Sequence, residues 1–270
     1  MEKKFYIGID SDGTAFDSMT AKHELSFIPA IFDVWVFGPH RDRVIELEKK
    51  INLFSKSRGV NRFPGLLMLF DKLQEEKLSA YDHTALRAFC ESGKSMSNKA
   101  LEEFIAENPS DFLNEVLEWS RIADLLFEKE TLNLMPFKGV RPALKKAYEK
   151  ADISVVSSAS TAGLRADWEK DSLSDYVTYI LGQDSGTKKQ QLQLTAQGKY
   201  EPEKILMIGD AIGDMEAAKS IGALFYPIIP GREENCWRRL EEKSLNAFFE
   251  GRYKGSYEDR LIEEFLEVLE

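Results

Sequence analysis

Four short segments of this 270-residue chain carry side chains that could do chemistry together. Asp10-Ser11-Asp12-Gly13-Thr14 sets two carboxylates two residues apart, just before a glycine. Ser157-Ser158 offers hydroxyls, and Lys188-Lys189 offers ammonium groups. Gly209-Asp210 is followed four positions later by Asp214. If these segments converge, several carboxylates meet one ammonium. That many like charges cannot share a small site without a cation. The available donors are all oxygen, which is the set Mg²⁺ prefers. Each segment alone also has a plain structural reading. Asp12-Gly13 suits a turn and Asp10 a helix cap. Ser157-Ser158 suits a polar loop, Lys188-Lys189 a solvated charge run, and Gly209-Asp210 the turn that ends a strand.

The elements that must position these groups favour the chemical reading. Phe5–Ile9 (FYIGI) is short, apolar and β-rich, and it breaks at Asp10. A nearly all-apolar strand is what a buried parallel sheet requires. After residue 135 strands alternate with helices. Helices are expected at Arg141–Lys150, Thr161–Lys170, Lys188–Gln197 and Met215–Ile221. Strands are expected at Ile153–Val156, Tyr179–Leu181, Ile205–Ile208 and Leu224–Tyr226. This alternation predicts an α/β fold with a doubly wound parallel sheet, to which the first strand must belong because alone it has no partner. Ligands of such sheets sit beyond the carboxyl ends of the strands, where all four segments fall. The stretch 18–134 reads as a mostly helical insertion. Arg41–Lys56 and Asp111–Glu130 have helical apolar spacing, Ser97-Asn98-Lys99 opens another helix, and Val34–Phe37 is ambiguous. The expected organisation is a sheet domain of residues 1–17 and 135–270 and a helical domain of residues 18–134. The charged tail from Leu240 is expected as helix packed on the outside.

The four segments resemble, in order and in context, the motifs of the haloacid dehalogenase superfamily of phosphatases. Asp10, Asp12 and Thr14 match the family's first motif, and Ser157 closing an apolar strand matches the second. Lys188, or else Lys189, matches the lysine that opens a helix. Gly209-Asp210 with Asp214 matches the fourth. The resemblance covers residues 1–17 and about 135–230. It implies a Rossmann-like core, with residues 18–134 in the place of a cap of the C1 type.

The resemblance also implies roles. Asp10 would attack phosphorus and form an aspartyl-phosphate. Asp12 would protonate the leaving oxygen and then deprotonate water. Gly13 would turn the chain away, and Ser157 with the Ser158 amide would hold the phosphoryl oxygens. Lys188 would neutralise charge on the nucleophile and the phosphoryl group. Mg²⁺ would be held by the carboxylates of Asp10 and Asp210 and the Asp12 carbonyl, with Asp214 orienting a water. Two departures stand out: Ser11 occupies a position usually bulky and apolar, which is expected to alter packing under the cap, and Ser158 replaces a common Asn. In the helical stretch, Lys56-Ser57-Arg58-Gly59-Val60-Asn61-Arg62 ends a helix with cations. Arg58 and Arg62 are candidates for a substrate's second anion, against the plain reading of cations favoured at a helix C-terminus. His40 and Arg41 are weaker candidates. Trp35 and Phe37 read as core.

The expected activity is Mg²⁺-dependent hydrolysis of a small phosphomonoester, with a small phosphorylated metabolite as partner. A phosphomutase would use the same residues. A non-catalytic binding protein on the same scaffold would be expected to have lost a reacting group, and none is lost. A dehalogenase or phosphonatase is disfavoured by the acid at Asp12. Net charge is −10, which argues against nucleic-acid and anionic-membrane partners. Cys90 and Cys236, far apart in sequence, read as two buried thiols. No apolar run approaches membrane-spanning length and no leader-like apolar region follows the N-terminus. The expectation is a cytoplasmic monomer or homodimer.

Overall fold

A computed structural model describes residues 3–130 and 134–269. The ends of the two expected domains at residues 1, 2, 131–133 and 270 lie outside the described residues. The chain divides into two compact units, one of residues 3–18 and 134–269 and one of residues 19–130.

The first unit is built on a five-stranded parallel sheet: β1 (Phe5–Ile9), β2 (Ala151–Val156), β3 (Tyr179–Leu181), β4 (Ile205–Gly209) and β5 (Leu224–Pro227). Every residue of β4 and β5 is buried, as their continuous apolar runs require of strands covered on both faces. The order is β3-β2-β1-β4-β5, so β1 is central, with Ile7 opposite Ile153 on one side and Leu206 on the other. The chain winds outward from β1 through β2 to β3, then returns to place β4 against β1's other edge. The direction of winding reverses between β1 and β4, and a crevice opens there beyond the strand ends.

The helices Val140–Tyr148 and Lys188–Thr195 pack on β2, Thr161–Lys170 on β3, and Ile212–Ser220 on β4 and β5. The last of these starts three residues before the expected Met215. Asp214 is the reason: its Oδ2 accepts the Ala211 N–H at 3.1 Å and caps the helix.

The tail differs most from expectation. Rather than lying outside, it completes the core, with Leu240, Leu245, Phe248, Tyr253, Leu261, Phe265 and Leu269 all buried in it. It also covers an open sheet edge. On the edge strand β5, the Phe225 N–H donates to Glu258 Oε1 at 2.8 Å, and the Phe225 carbonyl accepts from the Tyr253 hydroxyl at 2.8 Å. An exposed β-edge invites pairing with another chain, and here its polar groups are already engaged.

The second unit is helical, and no strand occurs among its described residues. Its core gathers Trp35, Phe37, Phe70, Phe112 and Trp119. The ambiguous run 34–37 is a helix end: Ile28–Val34 stops and Trp35 turns extended, burying its ring. The helix from Arg41 ends at Leu53, three residues short of Lys56. The hydroxyls of Ser55 and Ser57 both donate to the Ile51 carbonyl, at 2.7 and 2.6 Å, taking the acceptor a further helical turn would use. Both cysteines are free thiols. Cys236 is buried as expected, but Cys90 is only half-buried. Burial raises the Cys90 thiol to about 11.

Candidate active site

The site is assembled at the carboxyl ends of the strands. Asp10 follows β1, and its N–H donates to the Ile208 carbonyl at 2.9 Å, carrying the ladder to β4 one residue past the strand. Gly13 follows with φ 74°, a conformation that lets the chain leave sharply. Two indoles hold this loop from within the unit. Trp237 Nε1 donates to the Thr14 carbonyl at 2.8 Å, and Trp168 Nε1 donates to Ser11 Oγ at 3.0 Å. Ser11 is therefore a buried acceptor inside the sheet unit, which explains why a hydroxyl is tolerated where a bulky apolar residue was expected.

Lys188, the first residue of its helix, reaches Asp10 Oδ2 at 2.9 Å and Asp214 Oδ1 at 2.6 Å. Lys189 is exposed. A capping box between Thr187 and Gln190 fixes this helix start. Asp210 ends the β4 turn and accepts the Thr14 hydroxyl at 2.6 Å. Gly209 is required beside it, because a Cβ there would lie 2.4 Å from Asp214 atoms. The Gly-Asp pair thus lets the Asp214 carboxylate close on the strand end.

Carboxylate oxygens of Asp10, Asp210 and Asp214 all lie within 4.8 Å of one another, and all three residues are buried. Burial pushes the Asp10 carboxyl well above its ordinary 3.8; Lys188 opposes this, while Asp214 and Asp210 add to it. Burial raises Asp214 likewise, against Lys188 and reinforced by Asp210. For Lys188 burial works against the charge, but the Asp10 and Asp214 carboxylates outweigh it and hold the ammonium above its ordinary value. Three carboxylates against one ammonium leave an excess of negative charge on oxygen donors. That arrangement fits a hard divalent cation such as Mg²⁺.

The remaining candidates sit as follows. Asp12 is half-buried and accepts a hydrogen bond from the Ser18 hydroxyl. Ser157 is buried after β2, next to β1, and its Oγ accepts the Ala159 N–H at 3.2 Å; Ser158 is exposed. Arg58 is buried and donates to the Leu53 carbonyl at 2.8 Å. Arg62 pairs with Asp124 at 2.6 Å and donates to Ser120 Oγ at 3.0 Å. Arg41 is exposed, with its guanidinium 3.8 Å from the Phe32 ring centroid.

Ser18 and Trp168 carried no signal readable in the sequence: Ser18 holds Asp12 from the next turn of chain, and Trp168 holds Ser11 from far along it. Gln191, whose amide donates to the Ser157 carbonyl, had one clue, its place one helical turn after Lys188.

A family model for haloacid dehalogenase-like hydrolases matches residues 72–227, more than half of the chain, and the chain belongs to that family. The matched span contains Ser157, Lys188, Asp210 and Asp214. Among solved structures, a predicted phosphoglycolate phosphatase from Haemophilus somnus 129pt is similar with TM-score 0.55 at 16% identity, over 86% of this chain and 88% of that one. A hydrolase from Pseudomonas syringae is similar with TM-score 0.52 at 16% identity, over 91% and 98%. At these identities the shared property is the fold. No curated protein matches the chain. No helix among the described residues is long and apolar enough to cross a membrane.

Proposed function

We propose that this hydrolase is a Mg²⁺-dependent phosphatase that hydrolyses a small phosphomonoester through an aspartyl-phosphate on Asp10. The observation that carries the reading is the Asp10 carboxylate, buried at the end of the central strand with Lys188 Nζ 2.9 Å away and two further carboxylates beside it. Burial and the neighbouring carboxylates favour the neutral Asp10 carboxyl, so the site must supply positive charge for Asp10 to act as a nucleophile. The Lys188 ammonium favours the charged form that can attack phosphorus.

Asp10 attacks, and the bond to the leaving oxygen breaks. Asp12 supplies the proton to that oxygen, its carboxyl held meanwhile by the Ser18 hydroxyl. Asp12 then takes a proton from the water that hydrolyses the acyl phosphate, releasing Asp10. Ser157 Oγ and the Ser158 N–H hold phosphoryl oxygens, and Lys188 neutralises their charge. Gly13 keeps the loop clear of the reacting group. Asp10, Asp210 and the Asp12 carbonyl would hold Mg²⁺, with Asp214 orienting a water, and the ion would supply further charge neutralisation for the meeting of two anions. Arg58 and Arg62 remain candidates for a second anion of the substrate only if they release the bonds they make within the helical unit.

The test is phosphate release from p-nitrophenyl phosphate and a panel of metabolite phosphates, in Mg²⁺ and in EDTA. The panel includes 2-phosphoglycolate, because the Haemophilus relative is named for it. Release that needs Mg²⁺ and falls on the order of 10⁴-fold or more in Asp10→Asn is the expected result. Asp10→Asn with full Mg²⁺-dependent turnover would remove Asp10 as nucleophile.

A further inference from the structure

Resting on the phosphatase reading above, we infer that Gln191 is a positioning residue that sets the Ser157–Ser158 peptide so that its N–H faces the transferring phosphoryl group. Gln191 is completely buried on the helix that begins with Lys188. Its Nε2 donates to three backbone carbonyls, those of Ser157, Gly182 and Gly186, each at 2.9 Å. These belong to the loop after β2, the loop after β3 and the turn entering the helix. A primary amide has two hydrogens, so at least one is shared among the three acceptors.

The orientation of this amide is determined by its surroundings. Gln191 Oε1 is buried without a hydrogen-bond partner. Rotating the amide by a half-turn would set that oxygen against three carbonyl oxygens and leave the nitrogen unused. One orphaned acceptor is the smaller cost, and it persists because the three donated bonds outweigh it.

The consequence reaches the site through covalent geometry. In a planar trans peptide the C=O and the following N–H point in opposite directions. Holding the Ser157 carbonyl inward on Gln191 turns the Ser158 N–H outward at the end of β2. Ser158 is exposed, and its N–H has no protein partner among the described residues. A flipped peptide would present a carbonyl oxygen to an anionic phosphoryl group instead. Lys188 and Gln191 lie one helical turn apart, on one face of the helix. The same anchor therefore also fixes the turn from which Lys188 reaches Asp10 and Asp214.

Gln191→Met keeps the volume and removes the donor. Gln191→Glu keeps the shape and donates only while its carboxyl is neutral. Facing three carbonyls in a buried place, that carboxyl holds its proton to higher pH than a free one. The experiment compares both variants with wild type in full-length protein. It reads kcat and KM for p-nitrophenyl phosphate against pH, melting temperature, and the Ser158 amide resonance during titration with inorganic phosphate in Mg²⁺. The expected result for Gln191→Met is a kcat reduced roughly tenfold or more, with KM moving less, and a Ser158 resonance that no longer follows phosphate. Gln191→Glu is expected to retain part of the activity at low pH and to lose it as pH rises. A space-filling role would lower the melting temperature and leave kcat, its pH profile and the Ser158 response unchanged, and that outcome overturns the inference. If wild type releases no phosphate from any monoester, the phosphatase reading fails separately and the titration still decides. A wild-type Ser158 response lost in Gln191→Met upholds the anchor. A response preserved in the variant, or absent in wild type, overturns it.

Discussion

At the scale of single residues, Lys188 and Lys189 are neighbours of one type with opposite fates. The first is trapped between Asp10 and Asp214, and the second faces solvent. Substituting them separates the two directly. Lys188→Met is expected to lower kcat by about 10²–10³-fold, the cost of removing one charge-stabilising group. Lys189→Ala should leave turnover unchanged. Because Lys188→Met also strands two buried carboxylates, circular dichroism must accompany the assay, and Lys188→Arg offers a variant that keeps the charge. Equal losses from Lys188→Met and Lys189→Ala would dismiss the assignment. Spacing alone could not choose between these lysines. Both open the helix, and only the direction of the helix relative to β1 decides which ammonium points inward.

At the scale of elements, the strand ends carry the site and the tail protects the sheet. Glu258 is buried and accepts from the edge strand at Phe225 and from Lys219. Glu258→Ala would leave the Phe225 N–H buried without a partner, at a cost of roughly 2 kcal/mol. Glu258→Gln keeps an oxygen acceptor and should lose less. Denaturant midpoints measure both, and an unchanged midpoint for Glu258→Ala would show that the edge needs no such acceptor. The strands themselves were legible as apolar runs broken by polar residues. Helix ends were less so, because they depend on individual side chains. Asp214 starts one helix three residues early, and two serines stop another three residues early. The tail was misread because its charged residues dominate its composition, while its buried face is visible only once β5 is known to be an edge.

At the scale of the whole molecule, a protein of net charge −10 concentrates three buried carboxylates at one sheet end. A dication bound there stabilises the folded state by mass action. At roughly a hundred times its dissociation constant, Mg²⁺ should add about 2.7 kcal/mol. For a unit of this size that raises the melting temperature by roughly 5–10 °C. In EDTA, Asp210→Asn should melt no lower than wild type, because it removes one of three repelling charges and keeps an oxygen for Thr14. In Mg²⁺ the same variant should lose most of the rise. Calorimetry with and without Mg²⁺ decides, and an equal rise in both proteins would rule Asp210 out as a ligand.

The sequence by itself determined the order of the candidate segments and the parallel α/β sheet that carries them. Those depend on residue type and on periodicities a few residues long, which are local properties. The tertiary structure alone decided that β1 lies between β2 and β4, that Lys188 rather than Lys189 meets Asp10, that Ser11 answers Trp168, and that Gln191 ties three loops together. Each of these is a pairing between segments tens to hundreds of residues apart. Such pairings follow from which surfaces the folded chain buries against each other, and no local pattern records that.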